Sequence, residues 1–550
     1  MHCSRIRNLL PLPAILAYAL LSGPLGAQSS PPIPRLVHAG THYQLLVDGK
    51  PFLMLGGQAH NSSASNPKDL EPVWRSLTAM HANTAEVPIY WELIEPEPGH
   101  FDFHLIDSII QGARSHGLRL VLLWFGTWKN GEMTYTPSWV KENSAEYFRV
   151  RNELGQPMQI ISPFCNAARE ADAKAFAAVM QHIKSVDESA RTVIMMQVEN
   201  ETGLLGTDRD YSPQATQQYQ SQVPQELMTY LLEHRGRLMP ALEKAWAASH
   251  YATSGTWDTV FGDLAPEAFS AWYVARYVNS VAAAGKAQYP LPMYCNNWLA
   301  GPGAARAGDW PSGGPTIHVL DIWKAAAPSI DILAPDIYIP EFIETSAEFR
   351  RPDNPLFVPE TAFVPGFASY VFPTLAEFNG IGFSPFGIDF AVGADGKLNA
   401  QGQALAENYA LLQPLLPLIE KYQYTSKLFS IVQGVDNANV INLGHELAAV
   451  VSYTQGPGFP PAVPDTYREP RAGGIIIELA PDDYIVAGSG FRVDFRNLKG
   501  PARSPEFLSI DRGTFNGTEW QAEQRLNGDE LHVYLLRRPG ILRVRLYNVK

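Results

Sequence analysis

The stretch MMQVENETG, Met195–Gly203, places three polar side chains directly after an apolar run. Residues 193–196 have the composition of a buried strand, and Glu199, Asn200 and Glu201 follow at its end. Two carboxylates around an amide are unusual at the end of a core strand. The simpler alternatives to a functional site are a solvated loop or a carboxylate that caps a helix. The rest of the sequence is needed to distinguish among them.

A second polar strand end lies 159 residues further along the chain, where VPETAF places Glu360 after another apolar run. Two carboxyl groups that meet in one site suit glycoside hydrolysis. One carboxylic acid protonates the leaving oxygen, and an ionised carboxylate attacks the anomeric carbon. The sequence contains no Gly-x-Ser-x-Gly elbow, phosphate-binding loop or His-Glu-x-x-His motif that would favour a different chemistry.

Eight apolar runs with helical stretches between them would position these carboxylates. The runs are FLMLGG from Phe52, TAEVPIY from Thr84, RLVLLWF from Arg119, VIMMQV from Val193, PMYCNNW from Pro292, IDILAPDIY from Ile330, PLFVPE from Pro355 and GIGFSPF from Gly380. Apolar runs with helical connectors indicate parallel strands, so we predict an α/β fold with a (β/α)₈ TIM barrel. Its active site would lie at the carboxyl ends of the strands, where the fourth and seventh strands bring Glu201 and Glu360 together.

The rest of the chain divides into further predicted segments. Residues 1–27 have the basic, apolar and small-residue layout of a secretory signal peptide, which predicts export to the periplasm or the extracellular space. Residues 31–402 would hold the barrel and an N-terminal hairpin with a turn at Asp48-Gly49. Residues 403–429 read as a helical connector, and the short alternating segments of 430–550 predict a C-terminal all-β sandwich.

Composition narrows the possible partners and cofactors. The formal net charge of −13 argues against binding to nucleic acid, because a phosphate backbone favours a basic surface. No run after the signal segment approaches the ~20 apolar residues of a membrane span, so we predict none. Cys165 and Cys295 show no metal-ligand spacing and could pair or remain buried thiols. We therefore expect no metal and no cofactor, and the oligomeric state stays open.

Three stretches of the chain resemble glycoside hydrolase family 35 β-galactosidases. They are Gly56-Gly57, YWELIEPEPGHFDF (Tyr90–Phe103) and QVENETG (Gln197–Gly203), and PET follows on the seventh strand. The resemblance covers roughly residues 35–400. The tail GGIIIELAPDDYIVAGSGFRVDF is similar to the β-domain of a bacterial branch of that family, and EPEPGHFDF also resembles family 42 β-galactosidases.

The resemblance implies roles for individual residues. Glu201 would be the acid/base, and Asn200 would hydrogen-bond the 2-hydroxyl of the sugar. Glu360 would be the nucleophile, oriented by Tyr338 at the end of the sixth strand. Glu199 would be a supporting group or a sugar contact.

Further sugar contacts are predicted around this centre. Trp91, Trp128 and Trp298 could stack on the apolar faces of a pyranose, although core packing is an equal alternative for each. His60 and Asn130 are further candidates, and a histidine satisfied within the core is the commoner case for the former. The loop after the third strand, FGTWKNGE, differs from the Gly-Pro-Tyr loop usual in the family.

These expectations combine into a secreted retaining exo-β-galactosidase that removes terminal β-galactosyl groups from oligosaccharides or polysaccharides, with plant cell-wall glycans as the inferred substrates. One alternative is another retaining β-glycosidase on the same barrel, either a family 42-like β-galactosidase or a β-glucosidase. A non-catalytic carbohydrate-binding protein is less favoured, because both catalytic carboxyls are present.

Overall fold

The computed structural model describes residues 32–39, 42–434, 438–453, 467–499, 504–535 and 538–549. The segment expected to be a signal peptide lies outside the described residues. Within them, no helix combines the length and the apolar character needed to cross a membrane.

A small antiparallel sheet precedes the barrel. Its strands are Arg35–Ala39, His42–Val47 and Lys50–Pro51. Asp48 and Gly49 connect the last two strands with φ of 53° and 77°. Two successive left-handed residues are what a two-residue hairpin turn requires, so the predicted Asp-Gly turn is confirmed.

Eight parallel strands form a closed barrel in the part of the chain that the structure describes. They are Met54–Gln58, Thr84–Tyr90, Arg119–Phe125, Val193–Val198, Met293–Trp298, Ile332–Ile337, Val358–Thr361 and Gly382–Pro385. The first and eighth strands pair at Met54 and Gly382 and close the ring. Each strand corresponds to one of the eight predicted apolar runs, so the predicted TIM barrel is confirmed.

Helices surround the barrel, and each of them buries apolar side chains in the core that it shares with the strands or with other helices. The α-helices of this region are Glu71–Ala79, Trp91–Ile94, His104–Ser115, Ser138–Glu142, Asn166–Asp187, Pro213–Tyr219, Gln225–His234, Pro240–Ala248, Trp257–Phe261, Ala265–Gln288, Leu320–Ala326, Phe342–Phe349, Val371–Ala376, Ala400–Leu412 and Leu416–Tyr422. The long insertion between the fourth and fifth strands is helical, as its sequence predicted.

Two antiparallel sheets form the C-terminal region. In sheet order, the six-stranded sheet contains Leu428–Val432, Gly473–Ala480, Asp483–Ser489, Gly540–Val549, Ser504–Asn516 and Glu519–Leu526. The four-stranded sheet contains Ala438–Gly444, Leu447–Ser452, Phe491–Asn497 and Val533–Leu535. The two sheets bury a common core that includes Val451, Ile476 and Phe491. The predicted all-β region is therefore confirmed.

The residues predicted to be a connector pack against the barrel. In helix Ala400–Leu412, the Tyr409 hydroxyl lies 2.8 Å from the carbonyl oxygen of Gly56 and 2.9 Å from that of Phe383. Those two carbonyls belong to the first and eighth strands, so the hydroxyl bridges the place where the barrel closes. Cys165 and Cys295 are both buried and free.

Candidate active site

A cavity of about 460 Å³ opens at the carboxyl ends of the barrel strands. It is the natural place for a site in this architecture, because the loops that follow the strands meet there. Its wall is formed by Asn61, Lys129, Asn130, Glu201, Trp298, Leu299, Gly301, Asp336, Tyr338, Ile339, Glu360 and Phe386.

The end of the fourth strand turns sharply and sends its two glutamates in opposite directions. Glu199 and Glu201 have φ of 62° and 44°, a left-handed conformation that costs about 1 kcal/mol or more for residues other than glycine. The backbone N–H of Glu201 donates to Asn296 Oδ1 at 2.9 Å. Glu201 therefore lines the cavity, whereas Glu199 turns back into the core.

Glu199 forms a buried carboxyl pair with Asp172. Glu199 Oε2 accepts a hydrogen bond from the backbone N–H of Trp128 at 2.7 Å, and Asp172 Oδ1 accepts one from Trp124 Nε1 at 2.9 Å. Burial raises the pKa of the Glu199 carboxyl well above its usual value, and the neighbouring Asp172 raises that pKa further. A Cβ at Gly126 would lie 2.8 Å from Glu199 Oε1, so the loop approaches this closely only with glycine there. This position favours a supporting role for Glu199 over the predicted sugar contact.

Glu360 is fixed by a hydrogen bond to each of its oxygens. The Tyr338 hydroxyl donates to Glu360 Oε1 at 2.5 Å, and Gln58 Nε2 donates to Oε2 at 2.9 Å. Glu360 is only 5% exposed. Two donors on a buried carboxylate stabilise its charge and fix its orientation, which is the state a nucleophile needs.

Glu201 has a different environment. Burial raises the pKa of the Glu201 carboxyl to about 7, the negative charge of Glu360 adds to that rise, and the Lys129 ammonium opposes it. The side chain is 7% exposed and lines the cavity wall. A carboxyl that still holds its proton near neutral pH is suited to act as a general acid.

A third carboxyl, Asp336, completes the cluster. One carboxylate oxygen from each of Glu201, Asp336 and Glu360 lies within 4.8 Å of the others. Asp336 Oδ2 accepts a hydrogen bond from Asn296 Nδ2 at 2.7 Å. Three carboxyl groups this close cannot all carry a charge without strong mutual repulsion.

Several amide groups at the site have no hydrogen-bond partner among the described residues. They are Asn61 Oδ1 and Asn130 Oδ1 in the cavity wall, and Oδ1 and Nδ2 of Asn200, which is fully buried next to Glu201 and does not line the cavity. Asn130 also has a positive φ of 55°, which turns the loop after the third strand toward the cavity. Unpaired buried amides are costly unless a ligand with hydroxyl groups satisfies them.

Not every predicted contact lies in the cavity. Trp91 and Trp128 are 0% and 1% exposed. The ring of Trp91 packs edge-on against Trp139, and that of Trp128 packs edge-on against Tyr277. These two tryptophans are core residues, which corrects their prediction as stacking platforms, because a sugar cannot reach a ring that is enclosed on all sides. Trp298 does line the cavity.

His60 lies at the rim rather than in the wall. Its side chain is exposed, and its ring centroid lies 5.3 Å from that of Phe386, a residue of the wall. Its backbone N–H donates to Asp389 Oδ2 at 2.8 Å. The contact between His60 and the sugar stays a prediction.

The sequence analysis missed at least four charged or polar residues of the site: Gln58, Asn61, Lys129 and Asp336. Asp336 had a visible signal, because a carboxylate inside the apolar run IDILAPDIY has to be buried and partnered. Gln58 is the last residue of the first strand, and Glu360 is the last residue but one of the seventh. Lys129 lies in a loop, and its Nζ is 5.1 Å from the centroid of the Phe125 ring. Nothing in the local sequence indicates that loop's path.

Comparison with known proteins agrees with this picture. Residues 44–264 match the family model of glycosyl hydrolases family 35, and residues 405–537 match a domain of unknown function (DUF5597). The predicted resemblance to family 35 is confirmed over residues 44–264, which contain the first four strands of the barrel.

Individual relatives cover only part of the chain. A β-galactosidase from Xanthomonas manihotis is 29% identical over 213 residues, which are 37% of this chain and 32% of that protein. A probable β-galactosidase B from Sclerotinia sclerotiorum is 26% identical over 161 residues, which are 23% of this chain and 16% of that protein. The chain thus spans about a third or less of the length of these relatives.

A solved structure gives a weaker likeness. The β-galactosidase from Rahnella sp. R3 is 18% identical with a TM-score of 0.47, and the match covers 68% of this chain and 57% of that one.

Proposed function

We propose, with the family 35 match of residues 44–264 as the premise, that the protein is a secreted retaining exo-β-galactosidase. The observation that carries the proposal is the opposed environment of two glutamates in one cavity. Glu360 is held by two hydrogen-bond donors, and Glu201 is a buried acid with a pKa raised to about 7. The names of the curated relatives support galactose as the sugar.

The spacing of the carboxyls supports retention of configuration. Retaining glycosidases hold their carboxyls about 5–5.5 Å apart, and inverting enzymes hold them about 6.5–9.5 Å apart to admit a water. Oxygens of Glu201 and Glu360 lie within 4.8 Å of each other. This closeness favours direct attack by Glu360 on the sugar.

In the first step, Glu360 attacks the anomeric carbon of the galactosyl group. The bond from that carbon to the leaving oxygen breaks as Glu201 gives its proton to this oxygen. The products are a galactosyl–Glu360 ester, the free alcohol and an ionised Glu201.

In the second step, water attacks the same carbon from the side that the alcohol left. Glu201 takes a proton from the water, and the ester bond to Glu360 breaks. Galactose leaves with its β configuration, Glu360 is again a carboxylate, and Glu201 is again protonated.

The remaining polar groups would bind the sugar. Asn200 lies beside Glu201 with both amide atoms unpaired, which suits a hydrogen bond to the 2-hydroxyl. Asn61 and Asn130 offer further unpaired acceptors, and Trp298 offers an aromatic face at the cavity wall. A cavity of about 460 Å³ at one end of a closed barrel suits a terminal sugar, and plant cell-wall glycans and related oligosaccharides are the proposed source of that sugar.

Hydrolysis of paired chromogenic substrates tests the function. We expect faster release of nitrophenol from nitrophenyl β-galactoside than from the β-glucoside, and none from the α-galactoside. Proton NMR of the first product should show β-galactose before mutarotation. Preference for the glucoside would identify another β-glycosidase, and α-galactose as first product would mean inversion.

Export is tested separately. We expect the mature chain to begin near Gln28, after removal of the basic and apolar leader. N-terminal sequencing of protein from the culture medium or periplasm checks this, and an intact Met1 there would end the idea of cleavage.

A further inference from the structure

Asp336 has no part in the mechanism above, yet it lies inside the catalytic cluster. Asp336 is the last residue but one of the sixth strand, and it is 3% exposed. One of its carboxylate oxygens lies within 4.8 Å of oxygens of both Glu201 and Glu360. A buried carboxyl without a counterion is costly, so its position calls for an explanation.

We propose that Asp336 is a positioning residue that shares one proton with Glu201 and thereby holds the acid/base carboxyl in its proton-donating position. This inference rests on the proposed function of the site.

One side chain, Asn296, fixes both partners of the pair. Asn296 donates from Nδ2 to Asp336 Oδ2 at 2.7 Å and accepts at Oδ1 from the backbone N–H of Glu201 at 2.9 Å. The other oxygen, Asp336 Oδ1, is buried and has no hydrogen-bond partner among the described residues. Carboxyl oxygens of Asp336 and Glu201 lie within 4.8 Å of each other, so a proton held between the two groups would give Asp336 a further hydrogen bond.

The charges around the pair also favour a shared proton. The titratable groups around the pair are Glu360, Lys129, Tyr338, Tyr294 and Cys295. Full ionisation would place three carboxylates within 4.8 Å of one another against the single ammonium of Lys129. Burial and the charge of Glu360 raise the pKa of Asp336 well above its usual value, and the neighbouring Glu201 raises it too. One proton held by the pair relieves this repulsion.

The total charge of the cluster stays constant during the first step of the proposed reaction. Before reaction, Glu360 carries one negative charge, and the pair with its single proton carries another. When Glu201 gives that proton to the leaving oxygen, the pair gains a charge, while Glu360 loses its own by forming the ester. Asp336 therefore keeps one proton within the pair in the resting site without opposing proton transfer at the moment of attack.

The variant D336N tests the inference by removing the second carboxyl while keeping its size. The new amide can still accept from Asn296 and would donate to Glu201. Ionised Glu201 is then stabilised, so the alkaline limb of kcat/KM should move at least about 1 pH unit toward lower pH. K129M should move the limb the opposite way, because the ammonium of Lys129 favours ionised Glu201. D529N, the same change at an exposed C-terminal position, should leave the limb in place.

Infrared spectroscopy gives a readout that does not depend on activity. The C=O absorption of protonated carboxyls, followed against pH in the free protein, should show a band that both D336N and E201Q alter. A loss of rate with an unmoved limb, or a raised KM alone, would overturn the inference and leave Asp336 a structural or sugar-binding residue. An infrared titration of Glu201 unchanged in D336N would overturn it too.

The two proposals can fail separately. If the protein hydrolyses no β-glycoside but D336N and E201Q change each other's infrared titration, the shared proton stands and the proposed function falls. If D336N does not fold, the infrared titration of Asp336 in E201Q tests the inference without it. A carboxyl band unchanged from that of the wild type would contradict a proton shared by Asp336 and Glu201.

Discussion

The two glutamates at the barrel mouth differ in what surrounds them rather than in what they are. Glu360 receives hydrogen bonds from Tyr338, which follows the sixth strand, and from Gln58, which ends the first strand. Glu201 instead faces the carboxyl of Asp336, and its pKa is raised to about 7. The same side chain can thus serve as a nucleophile on one side of a cavity and as an acid on the other.

The difference depends on the closed barrel. The donors to Glu360 come from strands that are far apart in sequence, at positions 58 and 338, and meet only because the ring closes. Glu201 owes its position to a left-handed turn that also buries Glu199. The different environments of Glu201 and Glu360 are therefore a property of the fold. Single substitutions should disrupt each environment separately.

The largest effect should come from removing either glutamate. E360A removes the nucleophile, so activity on every substrate should fall by ~10⁴-fold or more. E201A removes the proton donor and should cost about 10²–10⁴-fold on substrates whose leaving oxygen needs a proton. On a dinitrophenyl galactoside, whose phenolate leaves unaided, E201A should still form the ester and accumulate it.

Azide distinguishes the two roles. It needs no deprotonation, so it should rescue E201A and give β-galactosyl azide, and with E360A it could attack only from the other face and give the α-azide. The coupling of the anomeric proton in NMR identifies each product. An α product from E201A, or a β product from E360A, would exchange the two assignments.

Removing one donor to the nucleophile should have an intermediate effect. Y338F deletes the hydroxyl that donates to Glu360 at 2.5 Å but keeps the ring. A hydrogen bond to a charged group contributes about 1.5–3 kcal/mol, so kcat should fall by roughly 10- to 100-fold. Steady-state kinetics check this, with Y534F in the C-terminal region as the matched control. An unchanged kcat would show that Tyr338 does not hold the nucleophile in the reacting complex.

The pH profile of the wild type should follow Glu201. Its protonated form is the active one and is lost as the pH rises through about 7, the value to which burial raises this pKa. Above that value, kcat/KM for a nitrophenyl galactoside should fall about tenfold per pH unit. Initial rates from pH 4 to 9 measure the limb. A profile flat to pH 9 would contradict the assignment of Glu201 as the acid.

The smallest effect is expected at Glu199. E199Q should preserve the hydrogen bond to the backbone of Trp128 and could donate to Asp172, as a protonated glutamate does. We expect kcat and KM to change by less than about fivefold, within the net worth of one hydrogen bond. A large rise in KM for galactosides would instead restore Glu199 as a sugar contact.

The architecture and the central pair were predictable because they depend on patterns that the sequence displays directly. Apolar runs between amphipathic stretches predict the barrel, and polar residues at the ends of two runs predict where Glu201 and Glu360 lie. The N-terminal hairpin followed from a two-residue turn whose left-handed conformation Asp48 and Gly49 both adopt.

The residues around the pair were harder to predict, because loops decide which side chains reach the cavity. Trp91 and Trp298 both stand near strand ends, yet the first is fully buried and the second lines the cavity. Lys129 and Asn130 reach the site through a loop whose positive φ at Asn130 no sequence pattern indicates. Asp336 could have been found, because a carboxylate within an apolar strand requires a partner.

The Tyr409 hydroxyl, which bridges the first and eighth strands, bears on where this chain can be cut. The matched domain of unknown function begins at residue 405, inside helix Ala400–Leu412 and four residues before Tyr409. Truncation at that boundary would remove most of the helix whose Tyr409 bridges the first and eighth strands. Transfer of the matched domain to another protein would carry that part of the helix with it. The segment that the family model outlines therefore includes most of a helix that also packs against the barrel, and a cut at its first residue would remove the contacts of Tyr409 with both strands.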